Sequence, residues 1–222
     1  MTKKSFNYQL IFIILIVIII GSWALKILQN ELPYVDQWTR AFVEIVGNTK
    51  VYLIARFVTE FGSRSFLIPF TIITAIYLCW LFRNWLPALF FVSGTLGTHI
   101  LNIWIKYIVG RERPSILVEA NAQGYSFPSG HAMISIVCYG FLTYLLIKKY
   151  PNKKGILATS FTILIFLIGI SRYIINVHYL TDVIAGFTIG YLLLQSLIVL
   201  FNFVYLRGVT KKGARTEQNK QP

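Results

Sequence analysis

Six long apolar runs separated by polar connections constrain this chain more than any other feature of it. A helix needs about 20 mostly apolar residues to cross roughly 30 Å of hydrocarbon. Runs of that kind occupy residues 8–28, 65–82, 85–105, 132–147, 156–175 and 183–206. The fourth is short, so its helix is expected to begin a few residues earlier. A lipid interior offers no water to unpaired N–H and C=O groups, and the α-helix satisfies them within each run. The chain is therefore expected to be all-α, an integral membrane bundle of six transmembrane helices. Composition agrees, because 56% of its residues are hydrophobic and 13% are charged. A soluble domain carries about 25% charged residues. An ordinary soluble enzyme, a coiled coil, a collagen and a disordered chain are all excluded.

Lys3 and Lys4 precede the first run as they would in a signal peptide. No small-x-small cleavage pattern follows, and the run is long enough to span, so a retained helix is expected. Two connections are long, residues 29–64 and 106–131. The first scatters apolar and aromatic residues among polar ones. It suits short helices lying in the extracytoplasmic interface, with Trp38 and Tyr52 at headgroup level. The two cysteines, Cys79 and Cys138, sit inside apolar runs and read as packing residues without a disulfide.

The formal charge of +13 would suggest nucleic acid on a soluble domain. Here the positions of the cations give the topology instead. Lys3, Lys4, Arg83, Lys148, Lys149, Lys153, Lys154, Arg207, Lys211, Lys212, Arg215 and Lys220 fall on one side. Arg40, Lys50, Arg56, Arg64, Lys106, Arg111, Arg113 and Arg172 fall on the other. The positive-inside rule assigns the first side, with both termini, to the cytoplasm, and the two long loops to the outside. Residues 1–206 are expected to form the six-helix domain, and residues 207–222 a disordered basic cytoplasmic tail. No nucleic acid and no obligate protein partner are implied.

Three polar clusters gather on the outer side. Lys106, Arg111 and Arg113 crowd the end of the third run. Arg offers a bidentate fork and Lys a point charge to a phosphate, although such cations also anchor helix ends by snorkelling. Next comes Phe127-Pro128-Ser129-Gly130-His131, directly before the fourth run. Ser129 is a good N-cap, Gly130 lets the backbone approach a ligand, and the helix N-terminus is an anion site. His131 would stand at that anion as a proton donor, or else be incidental to a capped helix start. Third, His178 and Asp182 are four apart and would share a helical face. A carboxylate on one imidazole nitrogen fixes the tautomer and frees the other to attack or to ligate. The pair could also simply staple a loop, and Arg172 lies just before it. Together, cations, a nucleophile and an acid at one rim are the parts phosphoryl transfer needs.

The set Lys106-x6-Arg113-Pro114, Pro128-Ser129-Gly130-His131 and Ser171-Arg172-x5-His178-x3-Asp182 resembles the three motifs of the type 2 phosphatidic acid phosphatase superfamily. That family includes lipid phosphate phosphatases, bacterial phosphatidylglycerophosphatase B and undecaprenyl pyrophosphate phosphatases. Length and composition most resemble the bacterial phosphatidylglycerophosphatase B type. The resemblance implies that His178 attacks phosphorus, Asp182 orients it, and His131 protonates the leaving oxygen and then activates water. Lys106, Arg113, Arg172, Ser129 and Gly130 would hold the phosphoryl group. It implies a phosphorylated or pyrophosphorylated lipid as substrate, no cofactor and no metal. The bacterial cell membrane is the implied location, with the site facing outside. A bell-shaped pH profile follows from two histidines of opposite protonation.

Glu112 and Glu119 lack metal-ligand spacing with the histidines, which agrees. Two other readings stay open: a lipid phosphotransferase using the same phosphohistidine, and a non-catalytic phospholipid-binding protein. Thr95, His99, Asn102 and Lys106 form a polar stripe that either lines the site or bonds neighbouring helices. Residues 115–127 are either a headgroup lid or a plain connector.

Overall fold

The computed structural model describes residues 3–46, 49–114 and 122–218, and among these there is no strand. Eight α-helices follow in order: α1 Lys3–Leu28, α2 Tyr34–Val46, α3 Lys50–Thr59, α4 Arg64–Phe82, α5 Leu86–Val109, α6 Gly130–Lys149, α7 Lys154–Ile174 and α8 Leu180–Gln218. Short 3-10 turns at Glu60–Gly62 and Pro151–Lys153 precede α4 and α7. Five helices, α4 to α8, carry spans long and apolar enough to cross a membrane. In α1 the apolar stretch covers Ile14–Leu28. The chain is an all-helical, multi-pass membrane protein. The fourth span does start earlier than its apolar run, at Gly130. α8 carries on to Gln218, so the basic segment expected to be a disordered tail begins inside this helix. Residues 115–121, with Glu119 and most of the loop considered as a lid, lie outside the described residues.

α6 is the central helix. Its span is 56% buried, against 17–33% for the other four, so those four shield it from lipid. Ala132, Met133, Cys138, Phe141 and Leu145 are fully buried along it. Outward-facing residues such as Ile68, Ile72, Ile76 and Trp80 on α4 would be a liability in water and suit hydrocarbon. The seam between α6 and α8 is made by Gly186 and Gly190. A Cβ at Gly186 would lie 2.6 Å from the Ser129 carbonyl oxygen, and one at Gly190 would lie 2.7 Å from that of Met133. Small residues of this kind let two membrane helices pack backbone to backbone.

The connections explain how the rim is built. Ser63 caps α4, its Oγ accepting from the Phe66 amide at 3.3 Å. α5 starts at Leu86-Pro87 and stops at Gly110, whose positive φ of 64° suits glycine and turns Arg111 and Arg113 back over the bundle. α7 stops before Asn176, which takes a left-handed φ of 58°. Asparagine tolerates that conformation better than most residues. The first long connection, expected to hold short helices, contains α2 and α3. α2 buries Asp36, Val43 and Val46 and exposes Tyr34, Trp38, Phe42 and Ile45.

Candidate active site

The C-terminal ends of α5 and α7 and the N-terminal ends of α6 and α8 meet at one rim. Adjacent membrane helices alternate in direction, so motifs at alternate ends fall on the same side. One hydrogen bond fixes the junction: the Ser129 amide donates to the Asp182 carbonyl oxygen at 2.9 Å. That bond joins the second and third motifs, and Arg113 of the first reaches the Val177 carbonyl of the third at 2.8 Å.

His178 and Asp182 are 2% and 0% exposed at the bottom of this rim. They do not share a helical face. His178 lies in the turn after α7, its amide donating to the Arg172 carbonyl at 3.2 Å, while Asp182 lies in the first turn of α8. A separation of four is also met across a helix N-terminus, where the carboxylate caps the turn. Asp182 Oδ2 accepts from the Tyr179 amide at 2.9 Å and stands 3.4 Å from His178 Nδ1. The other imidazole nitrogen, Nε2, is 3.0 Å from Arg113 Nη1. A guanidinium can only donate, so Nε2 presents its lone pair there and Nδ1 carries the proton toward Asp182. Burial holds the His178 imidazole well below its usual pKa, and the fields of Arg113, Lys106, Arg172 and Arg111 act in the same direction. The ring is therefore neutral at neutral pH, the form a nucleophile needs.

The cations surround that lone pair. Arg113 donates to the carbonyls of Gly124 at 2.9 Å, Val177 at 2.8 Å, Gln123 at 3.1 Å and Tyr125 at 3.2 Å. Burial lowers its pKa and the Asp182 charge opposes that shift. Lys106 Nζ donates to the carbonyls of Tyr125 and, at 3.0 Å, Ser126. Arg172 is 1% exposed, and its Nη1 donates to Thr59 Oγ1 at 2.9 Å. His131 lies within electrostatic reach of Arg172, His178, Arg113 and Lys106. Its Nε2 and the Ser129 Oγ are buried polar atoms with no hydrogen-bond partner among the described residues.

One expectation about the turn before α6 is corrected. Ser129 occupies the N-cap position, yet its hydroxyl does not cap the helix. The Oγ is left to bond something other than the helix N-terminus. Gly130 also leaves room for Asn102, since a Cβ there would lie 2.8 Å from Asn102 Oδ1. Asn102 Nδ2 donates to the Pro128 carbonyl at 3.1 Å and approaches Met133 Sδ at 3.6 Å. The polar stripe on α5 thus bonds neighbouring segments at Asn102.

Ser126, Thr59 and Asp36 have no place in the sequence reading of the site, and Arg111 figures there only as one of three cations ending the third run. Ser126 Oγ donates to Asp182 Oδ2 at 2.5 Å and lies 3.3 Å from His178 Nδ1. Thr59 meets Arg172. Arg111 and Asp36 form ion pairs behind Asp182, Arg111 Nη1 reaching Asp182 Oδ1 at 2.6 Å and Nη2 reaching Asp36 Oδ2 at 2.6 Å. Asp182 is therefore not committed to His178 alone. Among the described residues, no group of three or more His, Cys, Asp or Glu side chains is placed to hold a metal ion.

The PAP2 superfamily pattern matches residues 87–205, more than half of the chain and all three motifs. The chain belongs to the PAP2 superfamily. Phosphatidylglycerophosphatase B of Bacillus subtilis is 32% identical over 168 residues, 72% of this chain and 76% of that protein. An undecaprenyl-diphosphatase of Sulfolobus acidocaldarius is 31% identical over 140 residues, 60% of this chain and 63% of that one. The dolichyldiphosphatase of Saccharomyces cerevisiae is 28% identical over 141 residues, 59% of each. The fold is also that of a crystal structure of a transmembrane PAP2-type phosphatidylglycerolphosphate phosphatase from Bacillus subtilis. The two superpose with a TM-score of 0.71 at 23% identity, covering 84% of this chain and 96% of that one. This PAP2 protein is thus a membrane enzyme of the lipid phosphatase family.

Proposed function

We propose that this PAP2 protein hydrolyses the phosphomonoester or pyrophosphate of a membrane lipid through a phosphohistidine on His178. The observation that carries this reading is the His178 ring itself. One nitrogen is tied toward Asp182 and the other points its lone pair at Arg113. A phosphoryl group held by Arg113, Lys106 and Arg172 would meet that lone pair.

In the first step Nε2 forms a bond to phosphorus while the bond from phosphorus to the lipid oxygen breaks. His131, which takes up a proton once the bound phosphoryl dianion offsets the surrounding cations, gives that proton to the leaving oxygen. In the second step water attacks phosphorus, His131 takes a proton from it, the N–P bond breaks, and inorganic phosphate is released. Asp182 fixes the Nδ1–H tautomer and balances the positive charge that develops on the ring. The cations and the first-turn N–H groups of α6 neutralise the phosphoryl oxygens, the main source of catalysis in phosphoryl transfer. No step requires a metal. Phosphatidylglycerophosphate, phosphatidic acid and undecaprenyl pyrophosphate fit the chemistry, and the names of the relatives favour the first and third. The rim faces outside, with both termini in the cytoplasm of a bacterial cell.

The test is phosphate release by the purified protein in detergent with EDTA present, comparing the three lipids, with His178→Ala as control. Release that survives EDTA and vanishes in His178→Ala is expected. Turnover retained by His178→Ala, or abolished by EDTA, refutes the mechanism. Phosphate appearing only on an acceptor lipid would instead make the enzyme a phosphotransferase.

A further inference from the structure

Asp36 and Arg111 belong to none of the three motifs, yet both are buried directly behind Asp182. Asp36 sits on the inner face of α2, the helix whose outer face carries Tyr34, Trp38 and Phe42. It is 3% exposed. Its Oδ1 accepts from the Thr181 amide at 3.0 Å, and its Oδ2 accepts from Thr181 Oγ1 and Arg111 Nη2, each at 2.6 Å. The same guanidinium reaches Asp182 through Nη1 and lies over the Tyr179 ring, 3.8 Å from its centroid. One buried cation is thus shared by two buried carboxylates.

The sharing has an electrostatic consequence. If Arg111 met Asp182 alone, the pair would be neutral, and in a low-dielectric site the carboxylate would lose most of its effect on His178. With Asp36 holding the other arm, the three groups together keep one net negative charge, and the end nearest His178 is Asp182. We propose that Asp36 is a positioning residue: by sharing Arg111 it preserves the charge of Asp182 toward the nucleophile and docks α2 onto the start of α8. The inference rests on the proposed role of Asp182 as the orienting carboxylate of His178.

Asp36→Asn keeps an oxygen for the Thr181 amide and removes the charge, leaving Arg111 to neutralise Asp182. Arg111→Met in the same chain removes the surplus cation. Steady-state kinetics use the lipid that the wild-type protein hydrolyses fastest, with thermal unfolding in detergent as the control for folding. Asp36→Asn should lower kcat by about tenfold to hundredfold, the scale found when partners of a histidine's carboxylate are lost, with KM changed less than about threefold. The double variant should recover at least about threefold of that loss, since the two changes act on one network. A kcat for Asp36→Asn within about tenfold of wild type, a loss carried by KM, or a double variant no faster than the single overturns the proposal. If Asp36→Asn does not fold, the double variant is compared with wild type. A loss in kcat below about tenfold then supports charge sharing and a larger one overturns it. His178→Ala and Asp182→Asn accompany the series. Full activity in those two would refute the underlying mechanism, whereas their inactivity beside an unaffected Asp36→Asn would refute charge sharing alone.

Discussion

Ser126→Ala isolates one hydroxyl at the centre of the His178–Asp182 pair. Asp182 Oδ2 has three neighbours: Ser126 Oγ at 2.5 Å, the Tyr179 amide at 2.9 Å and His178 Nδ1 at 3.4 Å. The hydroxyl therefore lies closer to the carboxylate than the imidazole does, and it bridges the two. Alanine keeps the backbone of this loop, where the Ser126 amide donates to the Arg111 carbonyl at 2.7 Å and the Ser126 carbonyl accepts from Lys106 at 3.0 Å. Asp182 also keeps its other partners, so the fold should hold. A hydrogen bond to a charged group contributes about 1.5–3 kcal/mol. Each 1.36 kcal/mol lost from the transition state is about tenfold in rate, which places the expected fall in kcat at about tenfold to hundredfold. KM should stay nearly constant, because the hydroxyl is on the Nδ1 side of the ring and the substrate would meet Nε2. The assay is phosphate release under saturating and limiting lipid in the same detergent. A kcat within about twofold of wild type, or an effect confined to KM, would refute the bridging role.

Three further outcomes follow from the packing and the charges. Because burial and four surrounding cations hold His178 well below the ordinary value of 6.5, the acid limb of kcat/KM, corrected for the ionisation of the substrate, should have its midpoint below 6.5; a midpoint above that value contradicts a neutral nucleophile. The same depressed pKa makes the unfolded chain bind the extra proton first, so stability should fall as pH drops below 6.5, and His178→Ala should flatten that slope in thermal unfolding. Gly186→Ala would place a Cβ 2.6 Å from the Ser129 carbonyl and 3.0 Å from Ala132 Cβ, neither of which can swing aside. It should cost about 1–3 kcal/mol of stability and lower activity as well. Gly21→Ala, with nothing within 4 Å of the added methyl, should do neither.

The spans, the short helices of the first long connection and the motif residues were legible because each rests on a local pattern. Twenty apolar residues announce a span wherever the rest of the chain goes. Three motifs at alternating helix ends must share a rim if the helices are antiparallel neighbours. The unread residues have no local pattern. Ser126 meets Asp182 across 56 positions, Arg111 meets Asp36 across 75, and Thr59 meets Arg172 across 113. In the sequence Asp36 is one polar residue among the apolar ones of the first long connection, and Arg111 is one more outer-side cation. Their spacing from the motifs carries no period that could reveal the contact. The separation of four between His178 and Asp182 was legible but ambiguous, because a helical face and a capped helix start both satisfy it. Asn176 with its positive φ decided for the second.

The arrangement also bears on why a histidine suits this site as the proposed nucleophile. Lys106, Arg111, Arg113 and Arg172 converge on a region whose buried carboxylates are Asp36 and Asp182. Backbone carbonyls of residues 123–126 and 177 satisfy the donors of Lys106 and Arg113 without cancelling their charge. The surplus positive field is complementary to a phosphoryl dianion, and until that dianion is bound it disfavours protonation of the His178 ring. A carboxylate there would be bound tightly by the arginines and become a poor nucleophile. An imidazole in the same field is held neutral, with its lone pair available. The groups that would hold the substrate oxygens therefore also keep the attacking nitrogen unprotonated. Only Asp182, on the far side of the ring, supplies the negative charge needed once the nitrogen has given up its lone pair. Binding and activation are in this way proposed as two effects of a single charge distribution, and a change to Arg113 or Lys106 should act on both.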